Sequence, residues 1–367
     1  MMFRDQYKRL GDYIHQVDVR NRDLAVHDLK GLSMTKEFRE STSNIVGVDL
    51  SKYKVVNPGV FAFDTMSVIR VHKVPIILNT GNVPVIISPA YITFVSNDEN
   101  VLDSNYLRMW VRRQEFDRYA DFKSDAAVRG GYGWDELCDT LIRIPTIEEQ
   151  RRIVAEYQAV EKRIVANEQL ISKLEDTAQT IYKKVFVDNI DPEHLPDGWT
   201  KKTISDFCNI FTGKKDVNQA SNSGQYRFFS CSPERYFSDE AISNGPAILI
   251  AGNGSYTGRV SFYNKPFDLY QRTYACTEID TSTNLLGYLY CVLKFSFENK
   301  FMGGSRGSSI PYIVRGDIAD FPVIYNDEVS SKVSKQISVI LNYEMQLLEE
   351  ISTLSEIRET LLSRIAQ

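Results

Sequence analysis

The sequence predicts an α+β protein: two mixed α/β domains separated by a pair of long antiparallel α-helices, the second half repeating the first about a pseudo-twofold axis. Three observations predict it. Gln150–Val187 keeps an apolar heptad spacing throughout and contains no Pro or Gly. The same spacing returns at the C-terminal end, each position lying 180 residues after its counterpart. Both halves also follow one order of strands, helix, Gly/Arg loop, apolar return and long helix, with a period far beyond those of solenoids.

The first domain is expected over 1–146. Strand-like runs lie at Ile45–Val48, Val60–Ala62, Val68–Val71, Ile76–Leu78, Pro84–Ile87 and Tyr91–Val95, separated by turns such as Asn57-Pro58-Gly59 and Thr80-Gly81-Asn82. A helix begins at Asn105 and carries Arg108, Arg112, Arg113 and Arg118. Arg129-Gly130-Gly131-Tyr132-Gly133 reads as a loop, and Leu137–Ile144 returns to the core. Pro145 ends that run, Thr146 is an N-cap, and Glu148 and Glu149 favour the helix dipole in the first turn of the long helix, 147–188. At ~1.5 Å per residue this helix is roughly 50 Å long and needs an apolar partner.

After a linker rich in Asp, Pro and Gly, the second domain covers 189–326 and the second long helix 327–367. The expected seam is Ile153, Tyr157, Val160, Ile164, Ile171, Leu174, Ile181 and Val185 against Val333, Ile337, Ile340, Leu347, Ile351, Leu354, Leu361 and Ile365. Connectivity makes the pair antiparallel, so Ile153 meets Ile365 and Ile181 meets Ile337. Asn167, Glu344 and Arg358 interrupt the apolar pattern. Either the pair is locally rotated there, with Tyr343 replacing Glu344, or polar seam residues fix register or meet a partner.

With 367 residues the chain is too long for one ordinary core. A 43% hydrophobic, 25% charged composition is that of a soluble globular protein, with no apolar run of ~18 residues. The charged N-terminus lacks an apolar leader, so a cytoplasmic location is expected. Five cysteines without C-x-x-C spacing read as reduced thiols, and four scattered histidines give no metal-ligand pattern. The net charge of −5 does not suggest nucleic acid, so any DNA-binding face must be a local concentration of basic residues.

Gly252-Asn253-Gly254-Ser255-Tyr256-Thr257-Gly258 follows a strand and invites a phosphate-loop reading. A strand pattern, RVSFYNK, follows it in place of a helix, so a hairpin turn that approaches something closely is expected instead. The arginines 108, 112, 113 and 118 form either a solvated helix face or a phosphate-contacting one. Lys214, Lys215, Arg227, Arg235, Arg259, Arg272 and Arg306 are spread through an aromatic-rich domain as a DNA-facing surface, since Arg, Lys, Asn and Ser on loops suit base edges and phosphates. Hydrolase, metalloprotease and adenine-methyltransferase motifs are absent from the sequence, which favours a binding protein over an enzyme.

The chain resembles the specificity subunit of Type I restriction–modification systems, the HsdS family. The resemblance rests on Ile144-Pro145 with Glu148-Glu149-Gln150-Arg151-Arg152-Ile153, on Leu195-Pro196-Asp197-Gly198-Trp199, and on AILIAGNGSYTG. The first domain lacks the Leu-Pro-x-Gly-Trp opening and the second helix lacks the Glu-Glu-Gln lead. The resemblance implies two target-recognition domains, each reading one half of an asymmetric bipartite site in double-stranded DNA, and a helical spacer that docks two modification subunits. It implies no cofactor in this chain, S-adenosylmethionine being expected on the modification subunit, and a restriction subunit that can join to cleave. The candidate DNA-binding residues are Arg70, Arg129, Tyr132, Lys214, Lys215, Asn253, Ser255, Tyr256, Arg259, Arg306, Ser308 and Ser309. The alternative is a scaffold that displays two protein-interaction domains on a helical spacer.

Overall fold

The computed structural model describes residues 7–42, 47–67, 72–125, 131–302 and 311–365. The chain divides into two compact units, Met1–Ile164 with Thr353–Gln367, and Val165–Ser352. The division cuts across both long helices, so each unit contains a mixed α/β domain and a portion of each helix.

In chain order the first unit carries β1 (Tyr7–Arg9), β2 (Ile14–Gln16), β3 (Lys30–Leu32), β4 (Phe38–Glu40), β5 (Lys54–Val56), β6 (Phe61–Phe63), β7 (Ile76–Leu78), β8 (Val85–Ile87) and β9 (Ile92–Ser96). Then come α1 (Ser104–Val111), α2 (Gln114–Asp125), α3 (Trp134–Asp139), β10 (Leu141–Arg143) and the start of α4 (Ile147–Phe186). The main sheet has the order β2-β9-β6-β7, while β1 pairs antiparallel with β10. The expected run Val68–Val71 and residues 45–46 of Ile45–Val48 lie outside the described residues, while Gly47 is a turn and Val48 is not in a strand.

The second unit repeats this plan. It carries β11 (Thr200–Thr203), β12 (Cys208–Thr212), β13 (Tyr226–Phe229), β14 (Tyr236–Ser238), β15 (Ala247–Ala251), β16 (Val260–Tyr263), β17 (Phe267–Leu269) and β18 (Thr273–Glu278). After these, α5 (Leu286–Val292) continues through a π-helical turn into α6 (Glu298–Phe301), followed by α7 (Arg315–Ala319), β19 (Pro322–Tyr325) and α8 (Asp327–Arg364). Its sheet order, β12-β18-β15-β16, is the first unit's order with each strand replaced by its counterpart, and β11 pairs with β19 as β1 does with β10. One contact recurs to the atom: the hydroxyl of Tyr106 on α1 donates to the Arg143 carbonyl at 3.1 Å, and that of Tyr288 on α5 donates to the Ile324 carbonyl.

Within the first unit, Val154 and Tyr157 of α4 share one core with Leu362 of α8 and Ile365 just beyond it, and Ile153 and Leu361 pack against it. Within the second unit, Ala178, Tyr182 and Phe186 share a core with Val333, Ile337 and Leu341. Early α4 residues meet late α8 residues and late α4 residues meet early ones, which is the antiparallel pairing that the connectivity requires. The expected rotation at Glu344 is overturned. Tyr343 is 44% exposed and Glu344 is buried, because Glu344 and Met345 both follow the inward stripe of α8. Asn167 is buried too, and neither its amide nitrogen nor one Glu344 carboxylate oxygen finds a partner among the described residues.

Each domain is bolted to its helices. Fully buried Gln150 donates from its amide to the Val101 and Pro145 carbonyls, both at 2.9 Å, and accepts from Asp103 N–H. Asp103 in turn caps α1 by accepting from the backbone N–H groups of Asn105 and Tyr106. In the second unit Gly287 brings α5 against α8 so closely that a Cβ there would lie 2.5 Å from the Ser334 carbonyl oxygen. The expected single helix breaks after Val111, and the arginines on and just after α1 are mostly engaged within the protein. Arg108 pairs with Glu161 of α4 at 3.1 Å, Arg112 with Glu37 at 2.5 Å, and Arg113 lies over the Trp110 ring.

Candidate nucleic-acid interface

The antiparallel order β12-β18-β15-β16 puts the end of β12, the start of β18, the end of β15 and the start of β16 at one edge of the sheet. The connections there are tied side by side by backbone hydrogen bonds. Gln271 N–H donates to the Lys215 carbonyl, Gly252 N–H to Arg272, Ile313 N–H to Gly252 and Gly254 N–H to Pro311, all at 2.9–3.1 Å. Segments 214–215, 252–259, 270–272 and 311–313 therefore form one continuous strip.

The glycine-rich loop is a tight turn, not a phosphate cradle at a helix start. Gly254 and Gly258 have φ of +81° and +85°, which suits glycine, and Thr257 Oγ1 fastens the turn to the Gly254 and Pro311 carbonyls. Ser255 and Tyr256 are held outward, Tyr256 being 43% exposed. Arg259 lies 5.2 Å over the Tyr256 ring and donates to the Ser232 carbonyl at 3.1 Å, and burial pulls its guanidinium pKa down. Asn253 bridges to Tyr312, itself 41% exposed. With the exposed side chains of Lys214 and Arg272, the strip offers amide, hydroxyl, ring and cationic groups, the set that reads base edges and holds phosphates.

Two of the residues proposed from sequence are placed elsewhere. Tyr132 is fully buried, its hydroxyl 2.5 Å from Thr140 Oγ1 and its ring against Phe63 and Phe116, so it is a core residue and cannot touch a base. Lys215 reaches inward to Asp268 at 2.8 Å and Glu240 at 3.0 Å. The hydrogen bond to Asp268 holds its ammonium pKa above the ordinary value, and its charge is neutralised before it can meet a phosphate. Arg70, Arg129, Arg306, Ser308 and Ser309 lie outside the described residues. The sequence reading placed Arg272 on a DNA-facing surface but missed Tyr312, because only the sheet order brings these separate segments into one strip.

The first unit has the corresponding edge, where 64–75 joins β6 to β7 as 252–259 joins β15 to β16. Asp64 accepts there from Met66 N–H and Ser67 Oγ, leaving Met66 66% exposed. No group of three or more His, Cys, Asp or Glu side chains among the described residues is placed to hold a metal ion, and no helix among them is long and apolar enough to cross a membrane.

The two units share one plan, each with a four-stranded sheet of matching order and a portion of both long helices. Part of the chain is similar to Type I restriction–modification specificity proteins. The family model "Type I restriction modification DNA specificity domain" matches residues 196–349. The specificity subunit of the Escherichia coli EcoDI Type I restriction enzyme is 37% identical over 129 residues, which is 35% of this chain and 28% of that protein's length. The crystal structure of a Type I restriction–modification S subunit from M. genitalium aligns over 98% of this chain and 95% of its own at 16% identity, with a TM-score of 0.63, a likeness of fold.

Proposed function

We propose that the chain is the DNA sequence-recognition subunit of a Type I restriction–modification complex. Each unit reads one half of an asymmetric bipartite site in double-stranded DNA. The helices set the spacing and dock two modification subunits, which carry S-adenosylmethionine; this chain performs no catalysis, and a restriction subunit can join the assembly in the cytoplasm. The observation that carries this reading is the strip formed by 252–259, 270–272 and 311–313, at a sheet edge that recurs in both units. Because the loops at the two edges differ in sequence, the half-sites should differ.

The test is to map methylated adenines made by the chain with its modification subunits, for the natural protein and for Asn253→Ala and Tyr256→Ala. Loss of a base contact is worth ~1–3 kcal/mol, so discrimination at one or two positions of a single half-site should fall roughly 10- to 100-fold while the other half-site stays unchanged. Methylation with no sequence preference in the natural complex sinks the proposal, and so does a change spread equally over both half-sites. Partner capture without salt-dependent DNA affinity would favour a protein-display scaffold instead.

A further inference from the structure

Arg227 of β13 stands opposite Phe237 of β14, and strand alternation puts Phe229 on the same face. The Arg227 guanidinium lies 5.3 Å from the Phe229 ring centroid and 5.6 Å from that of Phe237, and Arg235 lies 5.3 Å over the same Phe237 ring. Two cations thus converge on one ring. Neither has an ion pair or a hydrogen bond among the described residues, and one Arg227 guanidinium nitrogen is buried without a partner. Burial and the neighbouring Arg235 pull the Arg227 pKa down to about 10, so both stay charged at pH 7 with nothing to neutralise them. Nearby lysines are not in this state, since Lys215 is held by Asp268 and Glu240 and Lys265 by Glu349. The pair also adjoins the strip. Tyr270 N–H donates to the Phe229 carbonyl at 3.0 Å, the Cys231 thiol to the Arg272 carbonyl at 3.3 Å, and Arg259 to the Ser232 carbonyl at 3.1 Å.

We propose that Arg227 and Arg235 hold the phosphate backbone of the duplex beside the half-site read by the second unit, an inference that rests on the proposed function. A guanidinium stacked on a ring keeps its in-plane N–H groups free for a two-oxygen acceptor, the geometry that a phosphate fits. Leaving a half-buried guanidinium unneutralised beside a second one costs the fold stability, and an arriving anion offsets that cost. Arg235 is exposed and Arg227 half-buried, so a convex backbone can reach them. Singly charged phosphates repeated along a strand suit two cations presented side by side. A base edge calls for the amide and hydroxyl groups that the strip supplies and that Arg227, Phe229, Arg235 and Phe237 lack. The arginine pair therefore positions the duplex, and the strip reads it.

The test measures duplex affinity against salt for the chain with its modification subunits, on the mapped site and on an unrelated sequence. Arg227→Met keeps an apolar stem between the rings and removes the unpaired charge, and Arg235→Ala changes an exposed position, so melting temperatures should hold or rise. Each variant should lower the slope of log affinity against log salt by about one and weaken both duplexes by the same factor, roughly tenfold, with the methylated sequence unchanged. Neutral methylphosphonates placed one at a time along the backbone should weaken the natural complex at a phosphate beside the second unit's half-site and leave the Arg227→Met complex unaffected there. An unaltered salt slope in either variant overturns the proposal. A changed methylated sequence overturns it as well, by making these arginines base readers, and loss of modification-subunit capture assigns them to a partner's carboxylate instead. Methylation without sequence preference in the natural complex is the failure of the proposed function; a natural complex that keeps its preference while the variants keep the full slope sinks the phosphate contact alone.

Discussion

Glu344 shows what a single side chain contributes at the helix seam. Burial and the nearby Glu175 push its carboxyl pKa up to about 7 from an ordinary 4.5. A folded-state value raised in this way means that the native protein binds more protons than the unfolded chain between those two pH values. Stability is therefore fully present below about pH 4.5 and is lost as pH rises through about 7, by at most ~3 kcal/mol. Glu344→Gln should flatten the melting temperature across this window and raise it above pH 7; parallel pH profiles for the two proteins would refute that assignment. The sequence marked Glu344, Asn167 and Arg358 as breaks in an apolar pattern, but it could not say where each points. The same limit explains Tyr132 and Lys215. Both lie in loop-like, polar stretches, and only the tertiary partners Thr140 and Asp268 reveal a core ring and a neutralised charge.

At the scale of elements, periodicity carried the reading furthest. A heptad stripe is a local signal, and α4 and α8 emerge at Ile147–Phe186 and Asp327–Arg364, as expected from spacing alone. The three-residue strands are far less legible, since a run such as Phe61–Phe63 is too short to show alternation and owes its state to neighbours distant in sequence. The arginines at 108, 112, 113 and 118 were left open between solvent and phosphate, and for Arg108 and Arg112 the carboxylates Glu161 and Glu37, each more than 50 residues away, decide the question. Gly287 gives a sharper test of how elements meet. On helix propensity alone Gly→Ala gains up to ~1 kcal/mol, but a Cβ 2.5 Å from the Ser334 carbonyl forces α5 off α8. Gly287→Ala should lose about 1–3 kcal/mol in denaturant unfolding, the range of overpacked contacts. Gly316 in α7, whose nearest neighbour would be 3.7 Å away, should tolerate Ala without loss.

At the scale of the whole molecule, the duplication was visible as a 180-residue echo, and the matched sheet orders and the paired Tyr106 and Tyr288 contacts agree with it. What the sequence could not show is that the compact units divide each helix between them. On the proposed function, helix length sets the gap between half-sites. Adding one heptad to α4 and a matching one to α8 keeps the seam in register and lengthens the spacer by ~10 Å, about three base pairs of duplex. Methylome mapping should then find the two half-sites unchanged and farther apart. Recovery of the original gap would contradict the helices' role as a ruler.

Leu361, Leu362 and Ile365 close the core of the first unit from the far end of the chain. A ribosome that has just finished Ile164 must still add 188 residues before Thr353 emerges, which at ~5–20 residues per second is roughly ten to forty seconds. Through that interval the nascent chain holds Tyr157 and its neighbours without their lid, while the second unit, contiguous from Val165 to Ser352, can close as soon as it is made. The half synthesised first is thus the half completed last, and its unsheltered apolar stripe is the surface that a chaperone or a waiting subunit would meet during translation.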